Sequence, residues 1–223
     1  MRPAVTILQL DTHFPRIPGD VGCPQTYTGM AEIIRIPQAT VAGIVTDKPD
    51  QINIAPFAEA IQHAKGDVIV TSCGFLSFWQ DHLAGLTSKP FISSALIGLN
   101  DLAQRYAPAE ILILTFDADS LTPAHLGAFA DHETGIVGLP KDSHLRQVIA
   151  GDQPNLDPDV ARADVVETVR RVLTPRHKHI LLECTNLPPY KAALVAAFGL
   201  PVTDILSLIE NIRPNTVHPD FLG

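Results

Sequence analysis

Two stretches of this chain carry the same landmarks in the same order. An apolar run closes on an aspartate, Val5 to Asp11 in one stretch and Ile111 to Asp117 in the other. A second apolar run closes on a cysteine, Asp67 to Cys73 and His179 to Cys184, with Leu76 and Leu187 three residues further on. Each cysteine is followed 17 residues later by a proline, Pro90 or Pro201, which leads a short strand and an apolar helix. The spacing predicts an internal duplication that sets two thiols facing each other across a pseudo-two-fold axis. Between the landmarks, short β-rich runs alternate with segments of helical period, the signature of an α/β fold with parallel sheets.

The chain therefore reads as two pseudo-symmetric α/β halves, residues 1–106 and 107–223, with the site at their interface. The C-terminal helix of each half is free to cross onto the other. Strands are predicted at Val5–Leu10, Ile33–Ile36, Val68–Thr71, Phe91–Ser93, Ile111–Thr115, Gly135–Leu139, Ile180–Glu183 and Val202–Asp204. Helices are predicted at Asn53–Ala64, Ser94–Tyr106, Ser120–Ala130, Asp159–Leu173, Pro188–Phe198 and Ile205–Ile212. The Pro/Gly-rich stretch Phe14–Thr28 reads as a long loop at the carboxyl end of the first strand, where such folds place substrate contacts.

The 223 residues bury a substantial core, and 46% hydrophobic with 18% charged residues fits a globular enzyme. A net charge of −8 without a Lys/Arg block argues against a nucleic-acid or anionic-membrane partner. No apolar run approaches the roughly 20 residues of a membrane span. The N-terminal run turns polar too soon for a signal peptide, and three cysteines without a Cys-x-x-Cys fit a reducing cytoplasm. No metal spacing joins the nine histidines; His177 and His179 read as exposed or sheet-edge residues. Pro18–Gly22 lacks a nucleotide-binding pattern, and Cys23 reads as a bystander near the site mouth.

Cys73 and Cys184 fall at the ends of parallel strands, each before a helix start whose free N–H groups and dipole favour a thiolate. One depressed thiol acts as base and its undepressed partner as acid. The plain alternative is a pair of small buried apolar residues. Asp11 is placed to orient a thiol or bind an ammonium group, or else to cap a turn. Thr71, Ser72, Thr185 and Asn186 offer hydroxyls and an amide to a substrate carboxylate, or else ordinary caps. Glu183, unusual at a strand end, reads as a second acid/base, a cation ligand or a solvent-facing residue.

These features resemble the aspartate/glutamate/hydantoin racemase superfamily over nearly the whole chain. Glu183-Cys184-Thr185-Asn186-Leu187-Pro188 resembles the second Cys-Thr turn of that family, and Thr71-Ser72-Cys73-Gly74-Phe75 its first Cys turn. Leu10-Asp11-Thr12 resembles its opening Asp-Ser motif, and Leu112 to Phe116, with Thr115, the Thr-bearing strand that opens the second half. The resemblance implies cofactor-independent two-base chemistry. One thiolate removes the proton α to a carboxylate or carbonyl, and the other thiol protonates the opposite face. It implies Cys73 and Cys184 as acid/base pair, Asp11 as orienting group, and Thr12 and Thr185 as carboxylate contacts, with Ser72, Gly74, Thr115 and Asn186 in the same turns. No metal or other cofactor is called for. The chain departs from the family in three places. Gly74-Phe75 stands where Asn-Thr is usual, Asn186 where glutamate racemases have His, and Glu183 where a small residue often precedes the second cysteine.

The expected activity is thus racemisation or epimerisation of an amino acid or related small carboxylate. A maleate-isomerase-like or decarboxylase-like reaction on the same fold, or a non-catalytic small-carboxylate binding protein, are the competing readings. Base rates favour a homodimer.

Overall fold

Strands β1 (Val5–Leu10) and β5 (Ile111–Thr115) are buried at every position, as befits parallel strands covered on both faces. The computed structural model describes residues 2–223. In it β1 is flanked by β2 (Ala31–Ile36) and β3 (Val68–Thr71), with β4 (Phe91–Ile92) beyond β3. In the same way β5 lies between β6 (Ile136–Gly138) and β7 (His179–Leu182), with β8 (Val202–Thr203) outside. Every pairing is parallel, and the two orders, β2-β1-β3-β4 and β6-β5-β7-β8, are the same order twice. The duplicated landmarks of the sequence therefore correspond to a duplicated topology.

That topology fixes where a ligand can bind. From β1 the chain moves to one side for β2 and to the other for β3, so a crevice opens beyond their carboxyl ends. Cys73 follows β3 and Cys184 follows β7, each two residues past the strand end.

The helices are α1 (Val41–Ile44), α2 (Ala55–His63), α3 (Gln80–Ala84), α4 (Leu99–Leu102), α5 (Pro123–Leu126), α6 (His144–Ala150), α7 (Pro158–Val172), α8 (Lys191–Phe198) and α9 (Ile205–Ile212). The start of α7 follows from its cap, because Asp157 Oδ1 accepts from the N–H groups of Asp159 and Val160 and Pro158 takes the first turn. Three predicted helices are shorter than periodicity suggests, Pro188–Phe198 among them because its first turn, Pro188–Tyr190, is 3₁₀ and precedes α8. The Ser94–Tyr106 segment begins as a 3₁₀ turn, Ala95–Gly98, before α4. The Ser120–Ala130 segment breaks after α5 at Gly127, whose φ of +55° ends the helix. Sequence reading missed α6, a seven-residue helix whose Leu145, Val148 and Ile149 are buried. It also misplaced His179. This residue lies on the interior strand β7, is buried, and pairs its Nε2 with Thr203 Oγ1 at 2.9 Å.

The C-terminal helix of the second half packs on the first. Ile205, Leu206 and Ile209 of α9 sit in the core built around β1 and β3, and α9 packs on β4 and the Ala95–Gly98 turn. Arg213 then reaches Asp67 at 3.0 Å, and Val217 bridges to Tyr27. What aims α9 is a buried ion pair. Asp204 caps the helix by accepting from Ser207 N at 2.8 Å, and its other oxygen faces Lys191 Nζ at 3.6 Å. Lys191 also donates to Ser207 Oγ at 2.9 Å. Both charges are nearly inaccessible, so removing one strands the other. Asp204→Ala is expected to cost about 3–5 kcal/mol, read as a lowered denaturant midpoint. A loss below about 1 kcal/mol, the range of exposed pairs, would contradict this role.

Candidate active site

Between the carboxyl ends of the two sheets lies a small, narrow pocket. Ser72, Cys73, Gly74 and Phe75 line it from the first half, and Glu183, Cys184, Thr185 and Asn186 from the second. Leu10, Val41, Val45, Phe14, Phe116 and Ile149 add apolar walls, and Arg16 a guanidinium. The two thiol-bearing turns are stapled together by Thr185, whose hydroxyl donates to the Ser72 carbonyl at 2.7 Å. Ser72 in turn accepts from Leu10 N at 2.9 Å. Among the described residues no three His, Cys, Asp or Glu side chains converge as metal ligands, and no helix is long and apolar enough to cross a membrane.

The long loop after β1 supplies a residue that sequence reasoning missed. Arg16 folds over the Phe14 ring, 4.8 Å from its centroid, and pairs with Asp20 at 2.9 Å inside the protein. Its Nη2 is steadied by Thr12 Oγ1 at 3.2 Å, while its buried Nε has no partner. Asp20 also accepts from Asn186 Nδ2 at 2.6 Å, joining the loop to the second thiol turn. Asp152 holds the loop from the other half by accepting the N–H groups of His13 and Phe14 at 2.6 and 2.9 Å. The sequence signal for Arg16 was the loop itself: a long connection at a strand's carboxyl end with one arginine in it.

Several expected contacts are relocated. Asp11 stays outside the cavity lining, where its carboxylate accepts from Gln38 N at 3.2 Å and faces Arg35 at 3.5 Å. It supports a turn in which Gln38 has φ +64° and does not orient a thiol. Thr12 accepts from Arg16 and is not in the cavity lining, and the Thr185 hydroxyl proton is committed to Ser72. Thr115 lies under the site and donates to Glu183 Oε2 at 2.6 Å. Cys23 is buried, with its Sγ donating to Gln25 Oε1.

Glu183 is 1% exposed, and its Oε1 has no hydrogen-bond partner. It rests against Gly74 of the other half. A Cβ at 74 would overlap Oε1 and come within 2.7 Å of the Glu183 carbonyl oxygen. The two departures from the family pattern are thus one feature: the carboxyl before the second cysteine occupies the space of the side chain missing after the first.

This carboxyl governs the titration of the site. Burial pushes Glu183 up to about 7, against the pull of Thr115. Burial and then the Glu183 charge push Cys73 up to about 12, eased by the Phe75 N–H and the Arg16 guanidinium. Burial and Glu183 raise Cys184 as well, and there Cys73 and Asp20 raise it further. The thiolate-favouring helix ends expected from sequence are thus outweighed. The turn after Cys73 is 3₁₀, Gly74–Trp79, and the N–H donated to each sulfur does not compensate for full desolvation. The thiols are also unlike. The Arg16 guanidinium eases Cys73, whereas the Cys184 thiol donates to Asn186 Oδ1 at 3.6 Å; burial and Glu183 hold both in the protonated form.

A family profile described as Asp/Glu/Hydantoin racemase matches residues 27–209. Dimethylsulfoniopropionate lyase 5 of Emiliania huxleyi is 30% identical over 98% of this chain, which spans 47% of that protein's length. A dimethylsulfoniopropionate lyase of Durusdinium sp. clade D is 30% identical over 96% of this chain and 76% of its own. Among solved structures, allantoin racemase from Pseudomonas fluorescens superposes with a TM-score of 0.61 at 11% identity, covering 93% of this chain and 89% of that one. The last likeness bears on fold alone.

A buried, uncompensated carboxyl should tax the empty protein. Its value rises from 4.5 to about 7 on folding, so folding is favoured most below 4.5 and loses that advantage as pH climbs through about 7. Glu183→Gln is expected to stabilise the ligand-free protein at pH 8 by up to about 3 kcal/mol, with the gain fading below pH 5. Paired denaturant titrations at the two pH values check this; a pH-independent difference would contradict it.

Proposed function

The chain belongs to the Asp/Glu/hydantoin racemase family, and from that premise we propose that it is a cofactor-independent lyase acting on small β-onium carboxylates of the dimethylsulfoniopropionate type. The supporting observation is the inequality of the two thiols. Racemisation needs two groups that exchange roles as base and acid. Elimination from a β-sulfonium carboxylate needs one base, because the departing sulfide leaves neutral and takes no proton.

In this reading Cys73, beside Arg16, is the base. Its thiolate takes the proton α to the carboxylate. The electron pair forms the Cα–Cβ double bond, and the Cβ–S bond breaks with its pair leaving on dimethyl sulfide. Acrylate remains, and the Cys73 proton returns to solvent. The Arg16 guanidinium, which lines the cavity, is the cation available to the substrate carboxylate and to the enediolate charge that builds there. Cys184 stays protonated against Asn186 and serves as a polar wall. The two lyase relatives support the substrate class.

The test is proton NMR in D2O with dimethylsulfoniopropionate, and in parallel with amino acids and hydantoins. Acrylate formation is expected only from the sulfonium substrate. Cys73→Ala should lower it by about 10²–10⁴-fold, the usual worth of a positioned base, whereas Cys184→Ala should cost about tenfold or less. The kcat/KM of wild type should rise with pH through the neutral and alkaline range, because the free thiol is pushed up to about 12. Deuterium exchange with inversion in an amino acid or hydantoin, equally sensitive to both cysteines, would instead establish a racemase.

A further inference from the structure

The reading above names a base and a carboxylate donor and leaves the cationic end of the substrate without a seat. We propose that Glu183, in the space opened by Gly74, is the residue that seats this cation and so sets the preference for onium over neutral carboxylates. The inference rests on the lyase reading and goes further, assigning specificity to a carboxyl that the elimination itself does not use.

Three observations carry it. Among the described residues Glu183 has no cation within ion-pair distance, although it is almost fully buried in the cavity wall. A charge in that position is costly and persists where something supplies its counter-charge. The Arg16 ion pair in this structure is with Asp20, at 2.9 Å, and not with Glu183. With Arg16 and Asp20 cancelling, an ionised Glu183 leaves the cavity with one net negative charge.

The charged groups are also complementary as a set. The Arg16 guanidinium and Glu183, whose Oε1 is an unused acceptor among the described residues, line the same cavity. A molecule with a carboxylate at one end and a cation a few carbons away satisfies both at once. Phe14 and Phe116 already carry Arg16 and Arg146 over their rings, so Phe75, which lines the same cavity, is the aromatic ring offered to the cation's methyl groups.

The third observation is Gly74. Any Cβ there would collide with Oε1, so the carboxyl reaches its position only because residue 74 has no side chain. Specificity then depends jointly on one residue from each half. Seating a cation against Glu183 also offsets the charge that raises both thiols, so a cationic substrate eases ionisation of the base that attacks it.

The probes are 3-(trimethylammonio)propionate, a zwitterion with a poor leaving group, and its neutral isostere 4,4-dimethylpentanoate. Their dissociation constants are measured by calorimetry at pH 8 on the full chain. Wild type should prefer the zwitterion by about tenfold or more, a difference of about 1.4 kcal/mol. Glu183→Gln, which keeps the volume, should bring the ratio close to one without weakening the neutral probe. Glu183→Asp should recover part of the preference. Gly74→Ala approaches the same carboxyl from the other half and should lower the ratio too, which keeps the test available if a Glu183 variant folds poorly. A folded Glu183→Gln that retains the wild-type ratio would overturn the assignment, as would a wild type that binds both probes equally; in either case acrylate formation would leave the lyase reading standing. Wild type that binds neither probe and forms no acrylate would overturn the lyase reading and this inference with it.

Discussion

One buried carboxyl, with no cation among the described residues to balance it, sets the terms for everything else in this site. Glu183 sits next to one thiol in the chain and against the turn of the other. It raises both thiols, demands a glycine across the interface, and leaves a charge for a ligand to answer. A protein selected for stability alone would replace it. The stapled turns and buried loop around it, including Thr185 on Ser72 and Asp20 on Asn186, hold the geometry against that cost.

The duplicated fold supplies symmetry, and the loops take it away. Two sheets of the same order bring two cysteines to equivalent strand ends. A symmetric frame suits a reaction that runs equally from either face. Here the loop after β1 brings in Arg16, whose charge eases the Cys73 thiol, and Asn186 accepts from the Cys184 thiol. A change from two-way proton transfer to one-way elimination then needs no new architecture, only unequal surroundings for two equivalent groups.

Much of this was legible in the sequence because strand ends are local features. The apolar runs placed β1, β3 and β5 at their observed bounds, and the matched spacing picked out Cys73 and Cys184, which line one cavity. Glu183 stood out as a charge at a strand end, although its burial depends on Gly74, 109 positions away. Misreadings came where a side chain's direction is set by distant partners. Asp11 turns away to Gln38, Thr12 serves Arg16, and Arg16 enters the site only because Asp20, Asn186 and Asp152 fold its loop inward. The thiols were misjudged for the same reason: a helix end beside a cysteine is visible in sequence, whereas complete burial beside a second acid is not.

The most direct measurement is the titration of the Glu183 carboxyl itself, by carbon-13 NMR of protein labelled at glutamate δ-carbons, with the resonance assigned by its loss in a Glu183 variant. The account predicts a midpoint near 7 in the empty protein, falling by about one unit or more when 3-(trimethylammonio)propionate is bound. A midpoint in the ordinary carboxylate range, about 4 to 5, and unmoved by that cation would contradict it.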